Sequence, residues 1–120
     1  MSTPAPIVFF DIAGPDLAGQ RSFYREVFGW ESADNGGVSV PIGGGSPLMG
    51  LLRTDPAEKV IYIGVPDVTA ALEKVVAKGG KVHAPRFEVP GVVILGLFMD
   101  PAGNRLGLIE MGPNGRAKVP

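Results

Sequence analysis

The sequence predicts an α+β fold of two tandem βαβββ modules, which form a cup-shaped, mainly antiparallel sheet with the helices outside. Apolar runs rich in Ile, Val and Phe alternate with two segments of helical periodicity, and Gly and Pro separate them. The helix openings Pro15-Asp16-Leu17 and Pro66-Asp67-Val68 are also repeated at the same offset that carries Gly29 onto Gly80. We therefore expect a single domain over residues 1–120, with module 1 at about 6–53, module 2 at about 58–111 and a tail at 112–120.

In the first module, a buried strand is predicted over Ile7 to Ala13, before Gly14-Pro15. Asp16 has the chemistry of a helix N-cap, and Gly29 that of a helix end. The later segments of both modules are predicted as strands and a second helix. These are strands at Val38 to Ile42 and Leu48 to Arg53, a strand at Val60 to Val65, a helix from Asp67 to Gly79-Gly80, and strands at Lys81 to Ala84, Val92 to Met99 and Arg105 to Met111.

Composition excludes several classes of function. The net charge of −1 and the scattered Lys and Arg give no footprint for nucleic acid. The longest apolar stretch, Val92 to Met99, is too short to cross a bilayer, and the first six residues lack the pattern of a signal peptide. We therefore expect a cytoplasmic protein with neither nucleic-acid nor membrane partners. The chain has no Cys and one His, His83, which excludes thiolate metal sites and a two-His ligand set from one chain.

Two motifs resemble those of a known superfamily. The segment from Phe23 to Trp30 is similar to an FYxxxFGW helix end, and Asp100 to Glu110 is similar to a closing DPxGNxxxLxE hairpin. Together they resemble the vicinal oxygen chelate superfamily of glyoxalases, bleomycin-resistance proteins and dioxygenases. This resemblance implies the duplicated fold, but the fold hosts enzymes and non-catalytic binding proteins alike.

The resemblance also implies four metal-ligand positions, one on the first and one on the last strand of each module. These positions fall on Phe9, Arg53, Val60 and Glu110, although a shift of one residue would replace Arg53 by Leu52. Of the four, Glu110 alone is a metal donor, and working metal sites use three or more protein ligands. We therefore expect no metal and no other cofactor.

An apolar ligand pocket is predicted in the cup instead. Because side chains alternate across a strand, Phe9 shares a face with Asp11, Val60 with Tyr62, and Leu108 with Glu110. If these faces line the cup, the pocket residues are Phe9, Asp11, Arg53, Val60, Tyr62, Leu108 and Glu110. The competing interpretation is that Glu110 is a structural carboxylate, paired with Arg53 or exposed at a rim. His83 is expected to be an ordinary surface residue.

Three functions follow, in order of preference. The first is a metal-free module that binds a small organic molecule in the apolar cup. The second is a lyase, isomerase or dioxygenase-type enzyme in which Glu110 works with a metal or as an acid or base; Asp11 is a second acid–base candidate, and the catalytic residues are otherwise unknown. The third is a structural subunit whose cup is filled by Phe9. In each case a homodimer is expected, because apolar strands leave surface to cover.

Overall fold

The computed structural model describes residues 4–120; residues 1–3, the start of the segment without a signal-peptide pattern, lie outside this range. Within it the chain forms two helices and seven strands. Their bounds are β1 (Ile7–Gly14), α1 (Leu17–Phe28), β2 (Gly37–Val40), β3 (Leu48–Thr54), β4 (Glu58–Val65), α2 (Val68–Ala77), β5 (Lys81–Val89), β6 (Val93–Met99) and β7 (Arg105–Glu110). Neither helix in the described range has the length and apolar character that a membrane crossing requires.

The chain divides into two compact units, and the first unit is Phe9–Ile61. Its strand order is β2-β3-β1, with β2 antiparallel and β1 parallel to β3. Helix α1 packs against β3. Apolar side chains that are almost fully buried form the interior of this unit, namely Ala13, Val38, Val40 and Leu52.

The second unit comprises Tyr62–Pro120 together with the described residues up to Val8. Its strand order is β4-β7-β6-β5, in which β4 and β7 are parallel and the other pairs are antiparallel. Helix α2 packs against β5, β6 and β7. The core beneath this helix consists of Val68, Leu72, Phe98 and Leu108.

Both helices begin at the predicted aspartates. The Asp16 carboxylate accepts a hydrogen bond from the Gly19 N–H at 3.0 Å, and Asp67 accepts one from Ala70 at 3.0 Å. Each N-cap residue has extended backbone, as capping requires. Helix α1 ends at Gly29, whose φ of 73° is the left-handed conformation that glycine adopts without strain.

The two halves are less alike than predicted. The second half is a βαβββ unit, whereas the first forms two strands after its helix, and Ser32, which precedes them, makes only an isolated bridge to Val38. The polar segment 31–36 explains the difference, since it supplies turn residues and no apolar run to extend a strand. The sheet is mixed: the pairs β2–β3, β5–β6 and β6–β7 are antiparallel, whereas the first and last strands of each half pair in parallel.

Tyr62 and Gly107 are direct partners on β4 and β7. A methyl group at Gly107 would collide with the Tyr62 ring, so Gly107→Ala forces the ring or the strands to move. We expect this variant to lower the free energy of unfolding by about 1–3 kcal/mol in urea denaturation.

The matched control is Gly45→Ala, because a methyl group there meets no atom within 4 Å. This control should leave stability near the wild-type value. Equal effects of the two substitutions would show that Tyr62 does not pack over Gly107.

Candidate functional site

Glu110 ends β7 beside the start of α2. Glu110 is 4% exposed, and one carboxylate oxygen, Oε2, accepts a hydrogen bond from the Val68 N–H at 3.0 Å. Val68 is the first residue of α2, whose free N–H groups and positive dipole end favour an anion. The carboxylate is thereby anchored to the helix that covers this side of the strand.

Two cations also bind the Glu110 carboxylate. Arg86 donates from Nε to Oε2 at 2.9 Å and from Nη2 to Oε1 at 3.0 Å, the planar bidentate geometry that Arg forms with carboxylates. Lys118 in the C-terminal tail donates from Nζ to Oε1 at 3.1 Å. Both oxygens of Glu110 are therefore engaged by donors of this chain.

These contacts set the protonation of the cluster. The hydrogen bonds from Arg86 outweigh the opposing effect of burial and, with those from Val68 and Lys118, lower the pKa of Glu110 from 4.5 to about 2. The same bond to Glu110 raises the pKa of Arg86. Glu110 is thus a fixed anion at neutral pH and a poor general acid.

Sequence reasoning missed Arg86 and Lys118 as partners of Glu110. Arg86 was outside the strand predicted over Lys81 to Ala84, but β5 continues through it to Val89. Arg86 and Glu110 are far apart in the sequence, so no local pattern indicated that they pair. The structural role for Glu110 was foreseen as an alternative, although with Arg53 as the partner.

Leu108 and Glu110 lie on the face of the sheet that α2 covers. Leu108 belongs to the core under α2, and Ile63 on the neighbouring β4 packs against the same core. Because neighbours along a strand point to opposite faces, Tyr62 lies on the other face, over Gly107. In the second unit, Tyr62 and Glu110 therefore lie on opposite faces of the sheet and do not line one pocket.

In the first unit, Asp11 and Arg53 form a buried ion pair. Asp11 is 4% exposed, and its Oδ1 lies 3.2 Å from Arg53 Nε. Arg53 also binds the carboxylates of Asp55 and Glu58. Burial lowers the pKa of Arg53, but the bond to Glu58 and the charge of Asp11 outweigh it and raise that pKa above its ordinary value.

Phe9 and Val60 are apolar positions of the same unit. Phe9 is half-buried and lies two residues before Asp11 on the same face of β1, and Val60 is 1% exposed. Neither side chain has a metal-donor atom. Both were predicted to line a pocket.

The described residues do not fit the divalent metal that the resemblance implies. Phe9, Val60 and Arg53 occupy three of the implied positions, and the fourth, Glu110, binds its own chain's cations. In residues 4–120 no group of three or more His, Asp or Glu side chains is placed to hold a metal ion. His83 lies exposed on β5.

An apolar groove lies elsewhere, between α2 and β5 in the second unit. It has a volume of about 370 Å³. It is lined by Thr69, Leu72, Glu73, Val76, Val82, Pro85 and Arg86. None of these is among the predicted pocket residues, but Arg86 connects the groove to Glu110.

One family model and two curated relatives show what this chain is similar to. A family model described as a glyoxalase-like domain matches residues 7–109. CFP32 of Mycobacterium tuberculosis, provisionally named a glyoxylase, is 31% identical over 114 residues, which cover 82% of this chain and 42% of the relative. The anthracycline biosynthesis protein DnrV of Streptomyces peucetius is 26% identical, over 97% of this chain and 50% of the relative. The chain thus spans about half the length of these curated relatives.

Solved structures share the fold. A methylmalonyl-CoA epimerase in complex with methylmalonyl-CoA and NH4+ superposes with a TM-score of 0.66 at 17% identity, over 97% of this chain and 100% of the other. A glyoxalase/bleomycin resistance protein/dioxygenase superfamily member from Vibrio splendidus has a TM-score of 0.61 at 15% identity, over 89% and 99%. At these identities the likeness concerns the fold alone.

The low pKa of Glu110 makes its contribution to stability depend on pH. A carboxylate whose pKa is depressed by folding stabilises the protein fully above its ordinary pKa of 4.5 and loses this contribution as pH falls towards about 2. Glu110→Gln should therefore destabilise the protein by on the order of 3 kcal/mol at pH 7 and by much less near pH 2. Urea denaturation across this range measures the difference.

Glu88→Gln is the matched control, since Glu88 lies 3.6 Å from Arg86 Nη1 but is half-exposed. Its effect should be small and should vary little with pH. A Glu110→Gln effect of constant size from pH 7 to pH 2 would contradict the assigned ion pair.

Proposed function

Because this chain belongs to the glyoxalase-like family, we propose that it binds a small, largely apolar organic molecule without a divalent metal ion. One observation carries the proposal. Both oxygens of Glu110 accept hydrogen bonds from Arg86, Lys118 and the start of α2, so this carboxylate is not presented to an ion. Glu110 occupies the fourth implied ligand position, so no free carboxylate oxygen remains there to bind a metal ion.

A metal at this site would have to displace contacts that the fold needs. Displacing Arg86 would leave the buried Glu110 carboxylate without its bidentate partner, which is costly. Phe9 and Val60 offer no replacement donors, and a lone carboxylate holds a divalent ion weakly. Phe9, which is only half-buried, instead offers apolar surface to an organic ligand.

The relatives support an organic ligand. DnrV takes its name from anthracycline biosynthesis, and the epimerase structure is described with a bound acyl-CoA. For this chain, Phe9, Asp11, Arg53 and Val60 of the first unit remain proposed contacts. Asp11 and Arg53 would supply polar points beside apolar side chains.

A second candidate function is metal-free acid–base catalysis at Asp11. The observation that favours it is a carboxylate only 4% exposed beside the Arg53 guanidinium. Such a carboxylate is a candidate base for a carbon acid beside a carbonyl. Proton–deuterium exchange into a bound acyl compound, present in the wild type and lost in Asp11→Asn, would favour this activity over binding alone.

We also propose a homodimer. Helix α1 has no buried residue, and its apolar side chains Phe23, Val27 and Phe28 are 51%, 55% and 61% exposed. Tyr24 stacks on Trp30 with ring centroids 5.2 Å apart, which extends the same aromatic surface. Exposed aromatic groups in one patch favour protein–protein contact.

The metal-free proposal makes a direct prediction about purified protein. Elemental analysis should find no stoichiometric Fe, Mn, Ni or Zn, and EDTA should leave the melting temperature unchanged, because the fold holds no ion. Close to one transition metal per chain, lost in Glu110→Ala but kept in Glu88→Ala, would overturn this proposal.

The binding proposal predicts stabilisation by an apolar compound. In a thermal-shift panel of aromatic metabolites and antibiotics, a true ligand at 100-fold over its Kd should add roughly 2.7 kcal/mol to stability. No stabilisation by any compound would favour a structural subunit instead.

The dimer proposal predicts a mass near twice 12.5 kDa in light scattering at micromolar concentration. Phe28→Lys should shift the protein towards the monomer, since it places a charge in the aromatic surface of α1. Ile42→Lys is the control, because Ile42 is similarly exposed but outside that surface. A wild-type mass of one chain would refute the dimer.

A further inference from the structure

The groove between α2 and β5, here called the α2–β5 groove, combines one helix face with one strand. Its α2 residues Thr69, Leu72, Glu73 and Val76 follow the i, i+3, i+4, i+7 spacing of a single helix face. Its β5 residues are Val82, Pro85 and Arg86. Its volume of about 370 Å³ lies within the range of small-molecule sites.

Apolar side chains in this groove are left partly uncovered. Leu72 is 5% exposed, but Val76 and Val82 are 54% and 42% exposed. An apolar molecule in the groove would remove this surface from water, which is favourable at roughly 25 cal/mol per Å². The uncovered valines therefore favour an apolar occupant.

Irregular pairing of β5 shapes the groove. The register between β5 and β6 shifts on both sides of Ala84, and Pro85 has no N–H to donate to a neighbouring strand. β5 is the last strand in the order of its unit, where such irregularities are tolerated. The bulged segment carries Pro85 and Arg86 at the groove.

The charges of the groove favour a neutral ligand with one acceptor. Arg86 and Glu73 contribute one positive and one negative group to the lining. Glu110 fixes Arg86 through Nε and Nη2, and Nη1 forms a longer ion pair, at 3.6 Å, with the half-exposed Glu88. A guanidinium held in this way is a preorganised donor.

We propose that the α2–β5 groove binds a neutral apolar molecule, about the size of a naphthalene ring system, whose one carbonyl or hydroxyl oxygen accepts from Arg86. This inference rests on the proposed function and assigns it a site that the sequence did not predict. The ligand's apolar body packs on Leu72, Val76 and Val82. The fixed guanidinium sets its orientation.

The test uses 2-acetylnaphthalene as the probe in a ¹⁵N NMR titration of the full chain. Shift changes are expected in segments 69–76 and 82–86. Val76→Trp, which fills the groove from an exposed helix position, should weaken binding about tenfold. Ile42→Trp is the matched control, because Ile42 is 56% exposed and belongs neither to the groove nor to the apolar surface of α1, and it should bind like the wild type.

Two related probes test the ligand class. 2-Ethylnaphthalene lacks the carbonyl and should bind about fivefold more weakly, by the loss of one hydrogen bond. 2-Naphthoate should show no advantage over 2-acetylnaphthalene, since Glu73 and Glu88 offset the charge of Arg86. Tighter binding of 2-naphthoate would overturn the neutral class.

The possible failures are separable. Wild-type binding that is unchanged in Val76→Trp, with shifts at Phe9, Asp11 and Arg53 instead, would refute the groove and leave the proposed function standing. The groove is also refuted if 2-acetylnaphthalene does not bind while another compound stabilises the protein. If nothing binds, both proposals fail. Should Val76→Trp not fold, Val82→Trp fills the groove from β5 and decides the same question.

Discussion

The carboxylate of Glu110 joins four segments of the second unit. It ends β7, accepts from the first N–H of α2, pairs with Arg86 of β5 and binds Lys118 of the C-terminal tail. The backbone reinforces the last contact, because the Lys118 N–H donates to the Glu110 carbonyl at 2.9 Å. A buried carboxylate without these partners would be unstable, so sheet, helix and tail depend on one another here.

These contacts change the role of Glu110 at the metal-ligand position that the family resemblance implies. The resemblance implied that Glu110 stands where relatives hold a metal, yet here the same residue type balances the charges of its own chain. Its lowered pKa follows from those contacts, and so does the fixed orientation of Arg86 beside the α2–β5 groove. In the proposed groove site, the carboxylate acts on the ligand only through Arg86, as a positioning residue. The function proposed for the chain therefore depends on apolar surface rather than on a bound ion.

Local signals predicted much of the fold from the sequence. Asp16, Asp67 and Gly29 determine the helix ends through capping and left-handed backbone, which involve neighbouring residues only. Strand β5 was predicted too short, because Pro85 argues against a strand unless that strand lies at an edge. The first half lacks a third strand after its helix because residues 31–36 are polar. The repeat pattern led to the prediction of a full βαβββ module there in spite of this polarity.

The candidate site was harder to predict because it depends on register and on the sheet face. Strand alternation correctly paired Leu108 with Glu110, but it could not show that this pair faces α2 while Tyr62 faces away. The contact between Arg86 and Glu110 requires the pairings of β5 with β6 and of β6 with β7, neither of which is encoded locally. The groove likewise arises from a bulge in β5.

A ¹³C NMR titration of the Glu110 carboxyl carbon, with and without Mn²⁺, tests the central claim most directly. A carboxylate bound by Arg86, Lys118 and the α2 N–H should titrate with a pKa of about 2, and one equivalent of Mn²⁺ at neutral pH should leave its resonance sharp. A pKa near 4.5, or selective broadening of the Glu110 signal by Mn²⁺, would contradict the account.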